Sequence, residues 1–183
     1  MKVLSTQIPE VLIIEPTIHT DARGFFFESF NKEEFAEATG LNVSFVQDNH
    51  SRSLKNVLRG LHYQIQKPQG KLLRVIAGEI FDVAVDVRKS SRNFGKWIGV
   101  MLSEENKKVL WVPPGFAHGF LTMSARAEVL YKTTEYYTPE FEIAIAWNDG
   151  ALGIEWPLSP STAPILSHKD QQAKPLDLNN LPQ

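Results

Sequence analysis

The stretch EIFDVAVDVR at residues 79–88 carries the clearest secondary-structure signal of the chain. Its odd positions from 81 to 87 are all apolar, whereas two carboxylates, Asp82 and Asp86, fall on even positions. Alternation with a period of two is typical of a β-strand, because successive side chains of a strand point to opposite faces of the sheet. The stretch therefore predicts a β-strand.

Similar short β-rich runs lie on both sides of this strand, and scattered Gly and Pro residues separate them in place of long linkers. They cover residues 11–14, 43–47, 57–64, 72–77, 96–102, 108–112, 116–123, 129–136 and 143–147. About ten strands joined by short turns predict an all-β fold, either a sandwich or a barrel.

Two short helices are predicted outside the strands. Asn31 is a suitable N-cap, Glu34 stands at the third helical position as in a capping box, and Gly40 is suited to end that helix. A second helix is predicted to start at residues 167–170, because Ser-His-Lys-Asp has the Ser-x-x-Asp form of a helix start.

Size and composition favour one globular domain over residues 1–183, with 43% hydrophobic and 22% charged residues. The formal net charge of -2 provides no positive field to gather a polyanion, so we expect no nucleic-acid partner. The absence of cysteine excludes disulfides, thiolate metal ligands and a cysteine nucleophile. The apolar run at 11–14 is too short for a signal peptide or a membrane span, so we expect a cytoplasmic protein without membrane contact.

Four polar clusters interrupt the strand pattern, and each contains residue types that are costly to bury without a partner. In the first cluster, Arg23 and Glu28 bracket three consecutive phenylalanines at 25–27. Such a run favours core and edge packing. An Arg and a Glu around aromatic rings would alternatively hold a nucleobase by stacking and hydrogen bonding.

The second cluster is Gln-Asp-Asn-His-Ser at residues 47–51. The favoured interpretation is a polar turn that closes a hairpin, since Asn, Asp and Ser are common turn residues. The side-chain amides of Gln47 and Asn49 would alternatively donate hydrogen bonds to phosphate or sugar oxygens.

The third cluster, Arg-Gly-Leu-His-Tyr-Gln at residues 59–64, is the most informative. A glycine within a strand marks a bulge or a close backbone approach, so Gly60 would re-aim Arg59 and His62, which strict alternation places on opposite faces. His62 is either a satisfied core residue or a base. The two cations nearby in sequence, Arg59 and Lys71, favour a base beside anion-binding groups.

The fourth cluster contains Pro-x-Gly-x-x-His, which ends at His118 and resembles the second motif of the cupins. In metal-binding cupins this histidine is a ligand, and the first motif supplies a His-x-His pair and a downstream Glu. Here Tyr63 and Gln64 follow His62, so the pair is absent. Two histidines fall short of the three or four ligands of a zinc or iron site, so we predict no metal.

Taken in order, these segments resemble one cupin family, the dTDP-4-dehydrorhamnose 3,5-epimerases. The matching segments are Arg23-Gly24 with the Phe-rich run and Glu28, Gln47-Asp48-Asn49-His50, Arg59-Gly60-Leu61-His62, Gly70-Lys71, Pro-x-Gly-Phe-Ala-His-Gly and Leu130-Tyr131-Lys132. The resemblance implies an all-β, cupin-type jelly roll of two antiparallel sheets with one or two short peripheral helices. It also implies a homodimer with exchanged strands that uses neither a metal nor an organic cofactor.

The reaction that the resemblance implies is inversion of C3 and C5 of dTDP-4-dehydro-6-deoxy-D-glucose, with His62 as proton acceptor, Asp170 as its dyad partner and Tyr131 as proton donor. A hydrogen beside a ketone is removable only if the enolate is stabilised, and Lys71 suits that role as a compact cation. Imidazole suits the base, because histidine has an unperturbed pKa of about 6.5. In an alternative interpretation, Asp170 is only the carboxylate of the Ser-x-x-Asp helix start. Asp82 would support Lys71 or Tyr131.

The resemblance further implies a set of residues around the nucleotide and the sugar. They are Arg23, Glu28, Gln47, Asn49, Arg59, His118, Glu142 and Lys169. Cations suit a diphosphate, and a carboxylate accepts hydrogen bonds from a base. Glu142 has a second interpretation as part of a solvated turn, and Tyr137 or Phe26 would stack on thymine.

Three alternatives stay open at this point. A metal-dependent cupin would bind metal stoichiometrically, whereas a non-catalytic nucleotide-sugar binding module would leave the substrate unchanged. Within the enzyme class, a relative would epimerise one carbon only or isomerise a related dTDP-4-keto-6-deoxysugar to its 3-keto form.

Overall fold

Two antiparallel β-sheets pack face to face in this computed structural model, which describes residues 1–179 and Leu181. The strands are β1 (Lys2–Ser5), β2 (Leu12–Glu15), β3 (His19–Asp21), β4 (Gly24–Phe26), β5 (Gln47–Leu54), β6 (Leu58–Gln64), β7 (Lys71–Ala77), β8 (Glu79–Asp86), β9 (Trp97–Ser103), β10 (Val109–Val112), β11 (Phe116–Thr122), β12 (Arg126–Thr133) and β13 (Glu142–Ala144). The first sheet has the order β1-β2-β10-β7-β12-β5, and the second has the order β13-β6-β11-β8-β9. The predicted all-β jelly roll is confirmed. The predicted domain runs to residue 183, and Asn180, Pro182 and Gln183 lie outside the described residues.

Strand β8, the strand of the opening stretch, lies between β11 and β9 and is buried on both faces. Its even positions, among them Ile80 and Ala84, join Val129 in the core between the two sheets. Its odd-position valines pack with Ile145 on the other side of the second sheet. Asp82 shares the even positions, so its fully buried carboxylate points toward the space between the sheets.

The predictions of a strand at 43–47 and of a polar turn at 47–51 are both wrong. The strand here is β5, which begins at Gln47 and forms the edge of the first sheet beside β12. Phe45 packs instead in an aromatic cluster against Phe30 and Trp111. An edge strand is paired on one side only and tolerates polar residues on both faces, so its sequence looks like a turn.

Strand β6 contains the irregularity that Gly60 predicts. His62 pairs with His118 of β11, whereas Arg59 pairs only two positions further along β11, so β6 carries one extra residue. Gly60 has a φ of 114°, and a Cβ there would lie 2.6 Å from a backbone Cα of β11. The bulge brings Arg59 and His62 to one cavity although their spacing in sequence is odd.

Both predicted helices are present as α1 (Lys32–Thr39) and α2 (His168–Gln171). The side chain of Asn31 accepts hydrogen bonds from two backbone N–H groups of the first turn of α1, and Gly40 ends the helix with a φ of 72°. Ser167 caps α2. No helix among the described residues is long and apolar enough to cross a membrane.

Strands β3 and β4 form a separate hairpin and pair only with each other. All their residues are exposed, and Phe25 and Phe26 expose 61% and 68% of their surface. The core packing predicted for the phenylalanine run is therefore wrong for these two rings. The reason is that this hairpin projects from the chain as a sheet of its own.

Candidate active site

A cavity of about 520 Å³ lies between the two sheets, lined by β5, β7 and β12 on one side and by β6, β11 and β13 on the other. All the predicted catalytic residues and most of the predicted binding residues line it. They are Gln47, Asn49, Arg59, His62, Lys71, His118, Tyr131, Glu142, Lys169 and Asp170.

His62 of β6 and Asp170 of α2 form a hydrogen-bonded pair in this cavity, with 2.6 Å between Nε2 and Oδ1. The Asp170 side chain is 3% exposed and the His62 side chain 23% exposed. Burial opposes ionisation of Asp170, but the hydrogen bond and charge of His62, with help from Ser167 and Lys169, hold its pKa below the usual value. Because Nε2 is bound to the carboxylate, the lone pair of the neutral imidazole lies on Nδ1, ready to accept a proton.

Lys71 is a buried cation at the start of β7. Its Nζ donates a hydrogen bond of 3.4 Å to the backbone oxygen of His62. Burial lowers the pKa of Lys71 to about 8, while the charges of Asp82 and Glu142 raise it and the charge of Lys169 lowers it further. At neutral pH the amine is therefore still largely protonated and brings a positive charge beside the His62 strand.

The buried carboxylate of Asp82 has His118 as its hydrogen-bond partner. Its carboxylate accepts hydrogen bonds from Nε2 of His118 at 2.9 and 3.0 Å, and among the described residues no hydrogen bond joins it to Lys71 or Tyr131. The charge of Asp82 nevertheless favours the protonated form of Lys71. His118 is thereby fixed in the cavity wall, with only 12% of its side chain exposed.

Tyr131 of β12 stands on the first sheet, across the cavity from His62 on the second sheet. Its hydroxyl has no hydrogen-bond partner among the described residues. Burial raises the pKa of Tyr131; the charge of Arg59 opposes this and the charge of Glu142 adds to it. The phenol therefore stays protonated at neutral pH and is free to donate into the cavity.

Glu142 is part of the cavity and not of a solvated turn, so that interpretation is wrong. It is the first residue of β13, and its side chain is 13% exposed. Its Oε2 accepts hydrogen bonds from Nζ of Lys169 at 2.6 Å and from the hydroxyl of Tyr137 at 2.9 Å. Its Oε1 lies 3.9 Å from Nδ1 of His62. Burial raises the pKa of Glu142, but the hydrogen bond from Lys169 and the charge of His62 hold it below the usual value.

Arg59 supplies the cavity with a cation that has no carboxylate partner among the described residues. Its Nε donates to Oγ of Ser53 at 2.9 Å, and its Nη2 donates to the backbone oxygen of Arg52 at 3.2 Å. These two neutral acceptors orient the guanidinium without cancelling its charge. Such an arrangement suits an anionic group of a ligand.

Gln47 and Asn49 project from the cavity face of β5. Nε2 of Gln47 donates to Oδ1 of Asn49 at 2.9 Å, and Oε1 of Gln47 accepts from the backbone N–H of Tyr137 at 3.1 Å. Gln47 thus fixes the orientation of the Asn49 amide and leaves the N–H groups of Asn49 available to a ligand.

Arg23 and Glu28, which are predicted to bind the substrate, do not line this cavity of their own chain. The Arg23 side chain is 90% exposed on the β3–β4 hairpin and forms an ion pair of 2.6 Å with Asp21. Glu28 borders a separate depression near Met1. The hairpin and the segment after it carry these two residues away from their own cavity.

The sequence interpretation missed Ser51 as a cavity residue and assigned Ser167 only to the start of a helix. Ser51 follows Gln47 and Asn49 on the same face of β5, and its buried Oγ has no hydrogen-bond partner among the described residues. Correct assignment of β5 as a strand would have identified Ser51 by alternation. No sequence pattern indicates the contact of Ser167 with the carboxylate of Asp170.

Within the described part of the chain, no three His, Asp or Glu side chains stand close enough together to hold a metal ion. Nε2 of His62 and Nε2 of His118 are both hydrogen-bonded to carboxylates. The lack of a metal requirement stays a prediction, which metal analysis of the purified protein would check.

Comparison with known proteins finds close relatives over nearly the whole chain. The model of the dTDP-4-dehydrorhamnose 3,5-epimerase family matches residues 5–177. The chain is 60% identical over 178 residues to the dTDP-4-dehydrorhamnose 3,5-epimerase of Salmonella typhimurium, which covers 97% of this chain and 96% of that protein.

Two solved structures show the same fold. A dTDP-6-deoxy-D-glucose-3,5-epimerase from Legionella pneumophila, in complex with dTDP-4-keto-L-rhamnose, superposes with a TM-score of 0.94 at 53% identity and covers 100% of this chain and 97% of that one. A 3'-monoepimerase from Streptomyces bikiniensis, in complex with dTDP-quinovose, superposes with a TM-score of 0.88 at 32% identity and covers 100% and 92%.

Proposed function

The chain belongs to the dTDP-4-dehydrorhamnose 3,5-epimerase family, and we infer that it is an isomerase that epimerises C3 and C5 of dTDP-4-dehydro-6-deoxy-D-glucose to give dTDP-4-dehydro-L-rhamnose, in the biosynthesis of dTDP-L-rhamnose. The observation that carries this proposal is the buried His62–Asp170 pair opposite Tyr131, with the cation Lys71 in the same cavity. A base, a cation and a donor on opposite walls are what inversion beside a ketone requires.

In each half of the reaction, Nδ1 of His62 takes the hydrogen from the carbon beside the C4 ketone. The electron pair of the broken C–H bond moves into the enolate, and Lys71 stabilises the negative charge on its oxygen. Asp170 holds the ring and stabilises the imidazolium that forms, as the carboxylate of a catalytic dyad does.

Inversion then depends on Tyr131, which delivers a proton to the opposite face of the same carbon. His62 and Tyr131 regain their starting protonation states by exchange with water before the second carbon reacts. The diphosphate of the substrate binds at Arg59 and Lys169, the amide of Asn49 donates to sugar or phosphate oxygens, and Tyr137 stacks on thymine.

A monoepimerase is the second candidate, because a solved 3'-monoepimerase shares this fold at 32% identity. The 60% identity to a 3,5-epimerase favours inversion of both carbons. Incubation with dTDP-4-dehydro-6-deoxy-D-glucose in heavy water, followed by NMR, separates the two. Deuterium at both C3 and C5 supports the proposal, deuterium at one carbon supports a monoepimerase, and unchanged substrate refutes catalysis.

The pH dependence of kcat/KM provides a prediction for Lys71. Its pKa of about 8 in the free enzyme means that the amine loses its proton, and its ability to stabilise the enolate, as the pH rises through that value. We therefore expect kcat/KM to fall about tenfold for each pH unit above roughly 8. Lys71→Arg is the control, since a guanidinium stays charged and should remove this basic limb even if the rate is lower. An unchanged basic limb in Lys71→Arg would contradict the assignment.

A homodimer is part of the same proposal, in which Arg23 and Glu28 complete the cavity of the partner subunit. The exposed Phe25 and Phe26 on the β3–β4 hairpin support it, since a second copy would bury these rings. The exposure of Arg23 outside its own cavity supports it as well.

Hybrid dimers test this arrangement. A dimer of one His62→Asn subunit and one Arg23→Ala subunit should keep one intact cavity of two and recover about half of wild-type kcat/KM. Dimers that combine His62→Asn with the double variant His62→Asn/Arg23→Ala serve as the inactive control. No recovery in the first hybrid, or a monomer in light scattering, would exclude a cavity shared between subunits.

We also place the protein in the cytoplasm. A chain of 183 residues without cysteine needs no oxidising compartment for its stability, which fits this location. Fractionation of cells that express the native protein checks it.

A further inference from the structure

Ser167 contacts the carboxylate of Asp170 on the oxygen that His62 leaves free. Its hydroxyl donates to Oδ2 of Asp170 at 2.8 Å, while Oδ1 of the same carboxylate binds Nε2 of His62 at 2.6 Å. The Oγ of Ser167 also accepts a hydrogen bond of 3.2 Å from the backbone N–H of Asp170. One hydroxyl therefore fixes both the backbone and the side chain of Asp170.

His62 and Ser167 are the two side chains that hydrogen-bond the Asp170 carboxylate in the described part of the chain. Asp170 lies in α2, a helix of only four residues, in a region that otherwise makes isolated bridges to the sheets. A carboxylate held at Oδ1 alone is free to rotate about its Cβ–Cγ bond, and rotation would tilt the imidazole that it orients. A second hydrogen bond at Oδ2 removes that freedom.

The electrostatic surroundings of the pair are set by four elements. Asp170 is faced by Lys169 of α2, a cation, and by His62 of β6, a cation when protonated. Both favour the ionised form of Asp170. Glu142 of β13 faces Nδ1 of His62, and the Lys71 amine of β7 reaches the His62 backbone. Ser167 is thus the one neutral donor at this carboxylate among the described side chains.

We propose that Ser167 is a positioning residue for the catalytic pair, holding the Asp170 carboxylate at the angle at which it orients the His62 ring. This role rests on the epimerase function proposed above. A serine that served only as the N-cap of α2 would contribute to stability and leave the chemistry of the pair unchanged.

Three substitutions separate positioning from capping. Ser167→Thr keeps both the hydroxyl and the cap, Ser167→Ala removes both, and Ser167→Gly removes the hydroxyl while remaining close to neutral as an N-cap. If Ser167 positions Asp170, Ala and Gly should both lower kcat, by roughly 5- to 30-fold, and Thr should restore it to near the wild-type value. KM should change little, because Ser167 holds the pair and not the substrate.

Titration of Asp170 by carbon NMR provides a readout that needs no substrate. Loss of the Ser167 donor removes one of the interactions that lower the pKa of this carboxyl, so its pKa should rise in Ser167→Ala and Ser167→Gly and stay near the wild-type value in Ser167→Thr. The acid limb of kcat/KM should move to higher pH in Ser167→Ala and Ser167→Gly, since the ionised carboxylate is then lost at higher pH.

The outcomes distinguish this inference from the function itself. Wild-type kcat and an unchanged Asp170 titration in Ser167→Gly, with lower thermal stability in Ser167→Ala, would reduce Ser167 to a helix cap and overturn the inference. The epimerase proposal stands or falls separately, on whether the wild-type enzyme incorporates deuterium at C3 and C5.

Discussion

Replacement of His62 by asparagine is expected to lower kcat by about 10²- to 10⁴-fold and to suppress deuterium incorporation at both C3 and C5. The expected loss is this large because one imidazole is proposed to break both C–H bonds. An amide has no basic lone pair near neutral pKa, so neither enolate would form at a useful rate. Proton exchange followed by NMR in heavy water measures both carbons in one experiment.

Asparagine is a better test than alanine at this position, because Asp170 is buried and hydrogen-bonded to His62. Alanine would leave that carboxylate without its ring partner, and an unpaired buried charge costs about 3–5 kcal/mol in stability. The amide of asparagine still has an N–H to donate. Equal melting temperatures for wild type and His62→Asn, with exchange retained at the wild-type rate, would show that another group is the base.

If His62→Asn lost exchange at one carbon alone, the two carbons would have two different bases. Glu142 is the carboxylate nearest to Nδ1 of His62, at 3.9 Å, and would then be the first residue to replace. The hydrogen bonds that Glu142 accepts from Lys169 and Tyr137 keep its pKa low, against the effect of burial, and argue against that role.

Alternation in residues 79–88 was sufficient to predict strand β8, because a strand buried on both faces still separates its two sets of side chains, and the recurrence of similar short runs predicted the all-β class. Gly60 likewise predicted the bulge, since a Cβ at that position would collide with the facing strand. Both features could be predicted because each depends on backbone geometry within a few residues. The edge strand β5 escaped prediction because solvent and the cavity accept polar side chains on either face.

Residue chemistry alone indicated His62 as a base near the cations Arg59 and Lys71, whereas the rest of the catalytic set was predictable only through the resemblance. His62 and Asp170 are 108 positions apart, and no periodicity connects a strand of the sheet with a four-residue helix near the end of the chain. The hydrogen bond between Asp82 and His118 depends on side-chain directions across neighbouring strands. Arg23 shows a further limit, since it is exposed outside the cavity of its own chain and only the proposed dimer gives it a place in a cavity.

Replacement of Tyr131 by phenylalanine is the sharpest test of inversion, because it should separate proton removal from proton return. His62 and Lys71 remain, so the enolate still forms and deuterium still enters C3 and C5 from the His62 face. Without the phenol, the opposite face receives no proton. Product formation should therefore fall by about 10²- to 10⁴-fold, while the unreacted substrate becomes labelled with its configuration retained.

Tyr137→Phe is the matched control for this prediction. Tyr137 also lines the cavity, but its hydroxyl donates to Glu142, whereas the hydroxyl of Tyr131 has no partner among the described residues. Removal of the Tyr131 hydroxyl should thus cost little stability, and Tyr137→Phe should affect KM more than inversion. Two results would contradict Tyr131 as the donor: wild-type product formation by Tyr131→Phe, or loss of inversion in Tyr137→Phe alone. The donor would then be another group, and that group must also lie on the wall opposite His62, because inversion requires the proton to arrive from that side.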